Sequence, residues 1–266
     1  MTSALPDGSG LRHCRMVSNW PRVPAKTAFA TGKLYSGSRA LFLQVKDVSY
    51  RSPGTEVNIL NNVNLDLPQQ SLGLIFGRSG SGKTTLLQVL AGLLAPSEGI
   101  VSITSPLGDD GDRELEFGTT GIVFQFPERY FLTETVVEEL TFGLSSRSQN
   151  PLMTHQLYIQ LHQVALAVGL MGIPWDANPR SLSDGYKRRL ALAAQLVRRP
   201  RLLLLDEPLA GLDWKARIDV AKLLANLKKE ITLIVVSHDL KELKPYVDKA
   251  WRMDPGGVLT EASLPL

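Results

Sequence analysis

The stretch GRSGSGKTT, Gly77 to Thr85, limits the fold more than any other part of this chain. It fits the pattern G-x-x-x-x-G-K-[ST]. It stands between SLGLIF, an apolar run of strand length, and KTTLLQVLAGLL, whose apolar residues recur at helical spacing. Glycines at this point let backbone N–H groups converge on phosphate oxygens, at the positive end of the following helix. Lys83 is then placed to reach the β- and γ-phosphates, and Thr84 to set its hydroxyl on Mg²⁺. A Gly-rich turn arising by chance would need neither the strand before it nor the helix after it.

The chain around this loop alternates strands and helices. LFLQVKDVSY and VNILNNVNLDL read as two strands joined by the turn RSPG. GIVSIT and TGIVFQ read as strands flanking the acidic loop GDDGDRE. Residues from about 130 to 198 read as mainly helical, broken by Pro151, Pro174 and Pro179. The strand RLLLLD, the helix WKARIDVAKLLANLKKE, the strand ITLIVVS and a short helix from Asp239 follow. The expected fold class is α/β, with a parallel sheet and a helical insertion.

The second chemical feature is LLLLDEP, where an apolar strand ends in Asp206 and Glu207. A carboxylate at Asp206, beside the phosphate loop, suits Mg²⁺ coordination, and Glu207 is placed to polarise an attacking water. Alone, such a pair would be an ordinary cap on the next turn.

Charge divides the chain. Residues 1 to 46 hold seven Lys/Arg and one acid, Asp7, which leaves 22 basic and 25 acidic residues beyond, a net of −3. A mildly acidic body gives no reason to expect nucleic-acid binding. The acid-free stretch from Gly8 to Lys46 carries Arg, Ser, Thr and Pro without periodicity, the composition of an organelle transit peptide; a disordered tail is the alternative. Cys14, the single cysteine, lies in that leader, so the body has no disulfide and no thiolate ligand. No apolar run approaches the roughly 18 residues that cross a bilayer. His155 and His162, in a helical stretch, read as surface or core residues rather than metal ligands.

The order GRSGSGKTT, Gln125 after a strand, LSDGYKRR, LLLLDEP, AGLD and VSHD resembles that of ATP-binding cassette (ABC) ATPases over about residues 41 to 250. LSDGY resembles the signature Leu-Ser-Gly-Gly-Gln, about twenty residues before Asp206. The resemblance implies a P-loop NTPase (RecA-like) core with an antiparallel β subdomain and a helical subdomain near 126–198. The cassette would occupy 41–266, after a leader of residues 1–40. ATP would be held by Gly77, Arg78, Ser79, Gly80, Ser81, Gly82, Lys83, Thr84 and Thr85. Tyr50 would stack on adenine, strand packing being its other reading. Ser183, Gly185 and Asp213 would meet the ATP of a second cassette. Thr84, Gln125 and Asp206 would hold Mg²⁺; Lys83, Gln125, Glu207 and His238, in its Ser-His-Asp triplet 31 residues after Glu207, would carry hydrolysis.

FQFPERYFLTETVVEELTFGL and KRRLALAAQLVRRPRLLLLDEPLAGLD are most similar to energy-coupling-factor and cobalt-import ATPases. With the basic leader, the resemblance extends to plastid members of the plant ABC transporter I family, non-intrinsic proteins peripheral to a membrane. It implies a homodimer or heterodimer driving a separately encoded membrane-spanning subunit. An assembly ATPase of the iron–sulfur cluster type, which also lacks spans, is the rival reading.

Asp184 departs from the signature. As the second residue of a helix its carboxylate would be favoured by about 0.3–1 kcal/mol. Facing a γ-phosphate about 6 Å away it would cost roughly 3 kcal/mol at an effective dielectric near 20. Lys187, Arg188 and Arg189 stand one turn along to offset that, so the expectation is a weakened but competent site.

Overall fold

A computed structural model describes residues 41–103, 113–114, 120–144 and 151–265. The leader 1–40 and most of the acidic loop lie outside the described residues.

Strands β1 (Leu41–Arg51) and β2 (Asn58–Pro68) pair antiparallel, and β4 (Glu98–Ile103) and β5 (Arg113–Glu114) extend them into a sheet of order β2-β1-β4-β5. A second sheet comprises β3 (Leu72–Gly77), β6 (Thr120–Val123), β7 (Leu202–Asp206), β8 (Thr232–Val236), β9 (Lys249–Asp254) and β10 (Val258–Ala262). Its order is β10-β9-β3-β8-β7-β6, parallel except for β10.

The unbroken apolar runs of β7 and β8 follow from burial on both faces. Leu203, Leu205, Leu233 and Val235 enter one core with α3 (Pro151–Val168), α4 (Asp184–Leu196) and α5 (Trp214–Leu227). Leu202, Leu204, Ile234 and Val236 enter a second core, shared with α1 (Lys83–Leu90) and the antiparallel sheet. Each fully buried leucine contributes about 1.5–3 kcal/mol over an exposed one. The strand ends that carry Gly77, Asp206 and Val236 are thereby fixed.

Three expectations need correction. α1 stops at Leu90, and residues 91–94 continue as turns whose N–H groups still reach the Leu87, Gln88 and Val89 carbonyls. No helix starts at Asp239: its N–H bonds the Ser237 hydroxyl, and a 3₁₀ turn at Lys244–Tyr246 is all the helical structure before β9. β9 and β10 lie beyond the elements read from sequence. The helical insertion comprises a 3₁₀ turn at Pro127–Tyr130, α2 (Val136–Thr141), α3, a 3₁₀ turn at Pro179–Ser181, and α4. Thr135 and Glu138 form a capping box at the start of α2. Among the described residues no helix is long and apolar enough to cross a membrane.

Candidate functional site

The loop between β3 and α1 opens a cavity of about 550 Å³, within the size range of small-ligand sites. Gly77 (φ +152) passes so close to β9 that a Cβ would lie 2.2 Å from the Met253 carbonyl oxygen, and Gly82 (φ +101) runs against the Ile59 carbonyl. No residue with a side chain fits at Gly77 without moving backbone. Arg78, Ser79, Gly80, Lys83, Thr84 and Thr85 complete this wall. The Lys83 ammonium donates to the Gly77 and Arg78 carbonyls at 3.0 and 2.7 Å. Burial pushes it below its ordinary pKa, while the charges of Glu207 and Asp206 pull it back. Ser81 is not among the lining residues: it is buried, and its hydroxyl has no hydrogen-bond partner among the described residues.

Gln125, Asp206, Glu207 and His238 form the opposite wall. Thr84 donates its hydroxyl to Asp206 Oδ2 at 2.9 Å. Burial raises the Asp206 pKa; the Thr84 bond and the Lys83 charge lower it, and the Glu207 charge raises it. A hydroxyl, an amide and a carboxylate converging here form an oxygen donor set that fits Mg²⁺ beside phosphate. Glu207 holds a left-handed backbone (φ +48), fixed by its N–H bond to Val236 O at 2.8 Å. One carboxylate oxygen accepts from the His238 N–H at 3.0 Å and meets His238 Nδ1 at 2.7 Å; the other accepts from the Ser237 hydroxyl at 3.1 Å. With Nδ1 so engaged, Nε2 is the His238 nitrogen that can meet a phosphate. The site has what in-line attack on a terminal phosphoryl group requires: a fixed carboxylate, cationic and backbone donors, and oxygen ligands.

Tyr50 does not reach the cavity. It is only 9% exposed and packs in the core of the antiparallel sheet. A bulge explains the shift: Leu43 and Val45 are buried, Asp47 takes φ +53, and thereafter Val48 and Tyr50 face the core. Ile59, exposed, lines the cavity with the one apolar side chain among the described lining residues. No motif in the sequence marks it.

Ser183, Gly185 and Asp213 also lie outside the cavity lining. Ser183 is the N-cap of α4, and its side chain makes no capping bond. Asp213 caps α5 by accepting from Ala216 N at 2.8 Å. The two helix starts lie together, a Cβ on Gly185 being 3.7 Å from that of Ala216. Asp184 is the first residue of α4 rather than the second, and its exposed carboxylate pairs with Lys187 at 3.2 Å. Arg188 points inward, and Arg189 bonds the Val168 carbonyl at 2.9 Å and lies 3.7 Å from Asp219. Of the three basic residues, Lys187 alone pairs with the carboxylate.

Residues 60–210 match the sequence profile of the family described as ABC transporter. The chain belongs to that family. ABC transporter I family member 11, chloroplastic, of Arabidopsis thaliana is 56% identical to this ABC protein over 229 residues, 84% of this chain and 82% of its own. The energy-coupling factor transporter ATP-binding protein EcfA2 of Acetivibrio thermocellus is 38% identical over 208 residues, 76% of this chain and 72% of its own. Among solved structures, cbiO1 from Clostridium perfringens, part of the ABC transporter complex cbiONQ, superposes with a TM-score of 0.72 at 28% identity, covering 83% of this chain and 87% of its own. The ABC protein is an ATP-binding and ATP-hydrolysing transport ATPase. Nothing in these relatives favours the iron–sulfur assembly reading.

Proposed function

We propose that two cassettes close around two ATP and that hydrolysis drives a separately encoded membrane-spanning subunit, in a complex of the energy-coupling-factor and cobalt-import kind. The supporting observation is the division of the site. Lys83, Gln125, Asp206, Glu207 and His238 line one cavity, whereas Ser183, Gly185 and Asp213 stand outside it on two adjoining helix starts. A second chain brings the second group to the nucleotide. Residues 77–85 wrap the phosphates, with Lys83 on the transferred group. Glu207 orients the attacking water and accepts its proton, and His238 and Gln125 meet the γ-phosphate end. Thr84, Gln125 and Asp206 would hold Mg²⁺, which would neutralise phosphate charge. Ser183, with its hydroxyl unspent on its own helix, serves the partner's ATP.

The Asp184–Lys187 pair makes this second surface testable. Lys187→Ala leaves the carboxylate bare, facing the incoming phosphates. ATP-driven dimerisation is expected to weaken about fivefold at low salt, since exposed charges a few ångströms apart exchange on the order of 1 kcal/mol. Asp184→Gly added to Lys187→Ala is expected to restore it. Analytical ultracentrifugation with ATP reads both; an equally weak double variant would place the carboxylate away from the nucleotide.

The membrane partner is assigned to the surface after Gln125. Tyr130 stacks on Phe124 at 5.0 Å, the Arg129 guanidinium lies 4.6 Å from the Phe126 ring centre, and Phe126, Tyr130, Leu132 and Phe142 are exposed. Aromatic and Arg side chains commonly anchor such contacts. Residues 1–40, by composition and by analogy with the chloroplastic relative, address the protein to plastids, where it lies peripheral on a membrane. Tagged protein expressed in a plant cell tests both assignments. It is expected in plastids and to co-purify with a spanning subunit, whereas Tyr130→Ala stays in plastids and loses that subunit. A cytosolic signal overturns the leader assignment, and an intact complex with Tyr130→Ala moves the contact elsewhere.

A further inference from the structure

Arg188 is 4% exposed, yet no carboxylate lies within ion-pair distance of it among the described residues. Its guanidinium spends its bonds on backbone. One terminal nitrogen donates to the Gln125 carbonyl at 2.7 Å and the Phe124 carbonyl at 3.3 Å; the other donates to the Ala210 carbonyl at 3.2 Å. Nε has no partner. Burial depresses the Arg188 pKa, and the more distant charges of Glu128 and Asp184 oppose that. A buried cation without a counter-ion is costly, and the carbonyls it bonds offset only part of that cost.

What the cation joins gives the reason for keeping it. Gln125 and Glu207 both line the nucleotide cavity, and Ala210 lies three residues beyond Glu207, in the segment that ends at the Asp213 cap of α5. Arg188 itself sits on α4, one turn after its Ser183 cap. One planar fork therefore ties the loop after β6 to the loop after β7, and both to α4. We propose that Arg188 is a positioning residue: it fixes the Gln125 loop relative to the Glu207–Asp213 loop, so that the amide of Gln125 and the carboxylate of Glu207 meet the same terminal phosphate. The inference rests on the reading of Gln125 and Glu207 as parts of the hydrolytic site. It assigns the basic run after the signature a task inside the protein, through Arg188, rather than at its surface.

The test separates positioning from packing. Arg188→Met keeps the volume and removes every bond; Arg188→Lys keeps a charge that can serve one loop but not both. In Arg188→Met the Kd for ATP without Mg²⁺ is expected to stay within about twofold of the parent, because the phosphate loop is untouched. The melting temperature is expected to fall modestly, because three carbonyls lose their donor, so kcat is read well below it. kcat should fall on the order of tenfold to a hundredfold, the scale of a misplacement of about 1 Å at a reacting group, with Arg188→Lys intermediate. Adding Gln125→Ala to Arg188→Met should lower kcat no further than the larger single effect, since residues acting as a unit are not additive. A parent-like kcat in Arg188→Met, a loss that only tracks a lower melting temperature, or fully multiplicative effects in the double variant would overturn the inference. Glu207→Gln assayed alongside keeps the two readings apart. Turnover surviving there overturns the site assignment; turnover lost there but kept in Arg188→Met overturns the role of Arg188 alone.

Discussion

Glu207→Gln is expected to bind ATP as the parent chain does, to hydrolyse it at least about a hundredfold more slowly, and to accumulate as an ATP-dependent dimer. The amide keeps the shape of the carboxylate and loses its ability to take a proton. The surroundings accept the change. The Gln oxygen can face the His238 N–H and Nδ1, and its NH₂ can turn to the Ser237 hydroxyl, which accepts while donating to the Asp239 carbonyl, 3.0 Å away. The left-handed backbone at this position, held by Val236 O, is open to Gln at a cost similar to that for Glu. Folding and nucleotide binding should therefore survive while chemistry stops, and the closed dimer should persist because hydrolysis is what opens it. Steady-state phosphate release and size-exclusion chromatography with ATP read the two halves. Parent-like turnover would show that the base lies elsewhere.

The same residues show why some of the site could be read from sequence and some could not. The phosphate loop and the Asp206–Glu207 pair are legible because strand, turn and helix are contiguous, so residue spacing fixes geometry. His238 and Gln125 became legible only through resemblance to a family, since their positions depend on parallel pairing between distant strands. The adenine-stacking role of Tyr50 came only through the resemblance, and its other reading, strand packing, is what the structure has: after the left-handed residue at Asp47, Val48 and Tyr50 face the core. The run Lys187-Arg188-Arg189 looks uniform in sequence. On a helix successive residues point about 100° apart, so one meets Asp184, one enters the interior and one turns to Val168. Asp239 looks like a helix start, but local bonds with Ser237 compete successfully for its backbone.

Lys83→Ala is the other substitution with a large expected effect, and its two consequences check each other. The ammonium stands in the wall facing Asp206 and Glu207, tied to two carbonyls of its own loop, with Arg78 the other cation of that wall. A unit charge about 4 Å from a phosphate oxygen contributes about 4 kcal/mol at an effective dielectric near 20. Without it ATP meets two carboxylates with Arg78 as the remaining cation of the wall, and affinity is expected to fall at least about a hundredfold, read by calorimetry. The second consequence concerns the empty-handed protein. Burial and the Glu207 charge hold the Asp206 pKa above its ordinary value, and Lys83 holds it down, so Lys83→Ala raises it further. A carboxyl whose folded pKa lies above its unfolded one contributes stability that is complete below the unfolded value, near 4, and is lost as pH rises through the folded value. Lys83 stays protonated in both states across that window, so its own titration does not intervene. The melting temperature of Lys83→Ala should therefore fall further below the parent's as pH rises from about 4 toward 7. A deficit constant across that range would mean that Lys83 does not act on Asp206. ATP affinity within a few-fold of the parent would remove Lys83 from the phosphate.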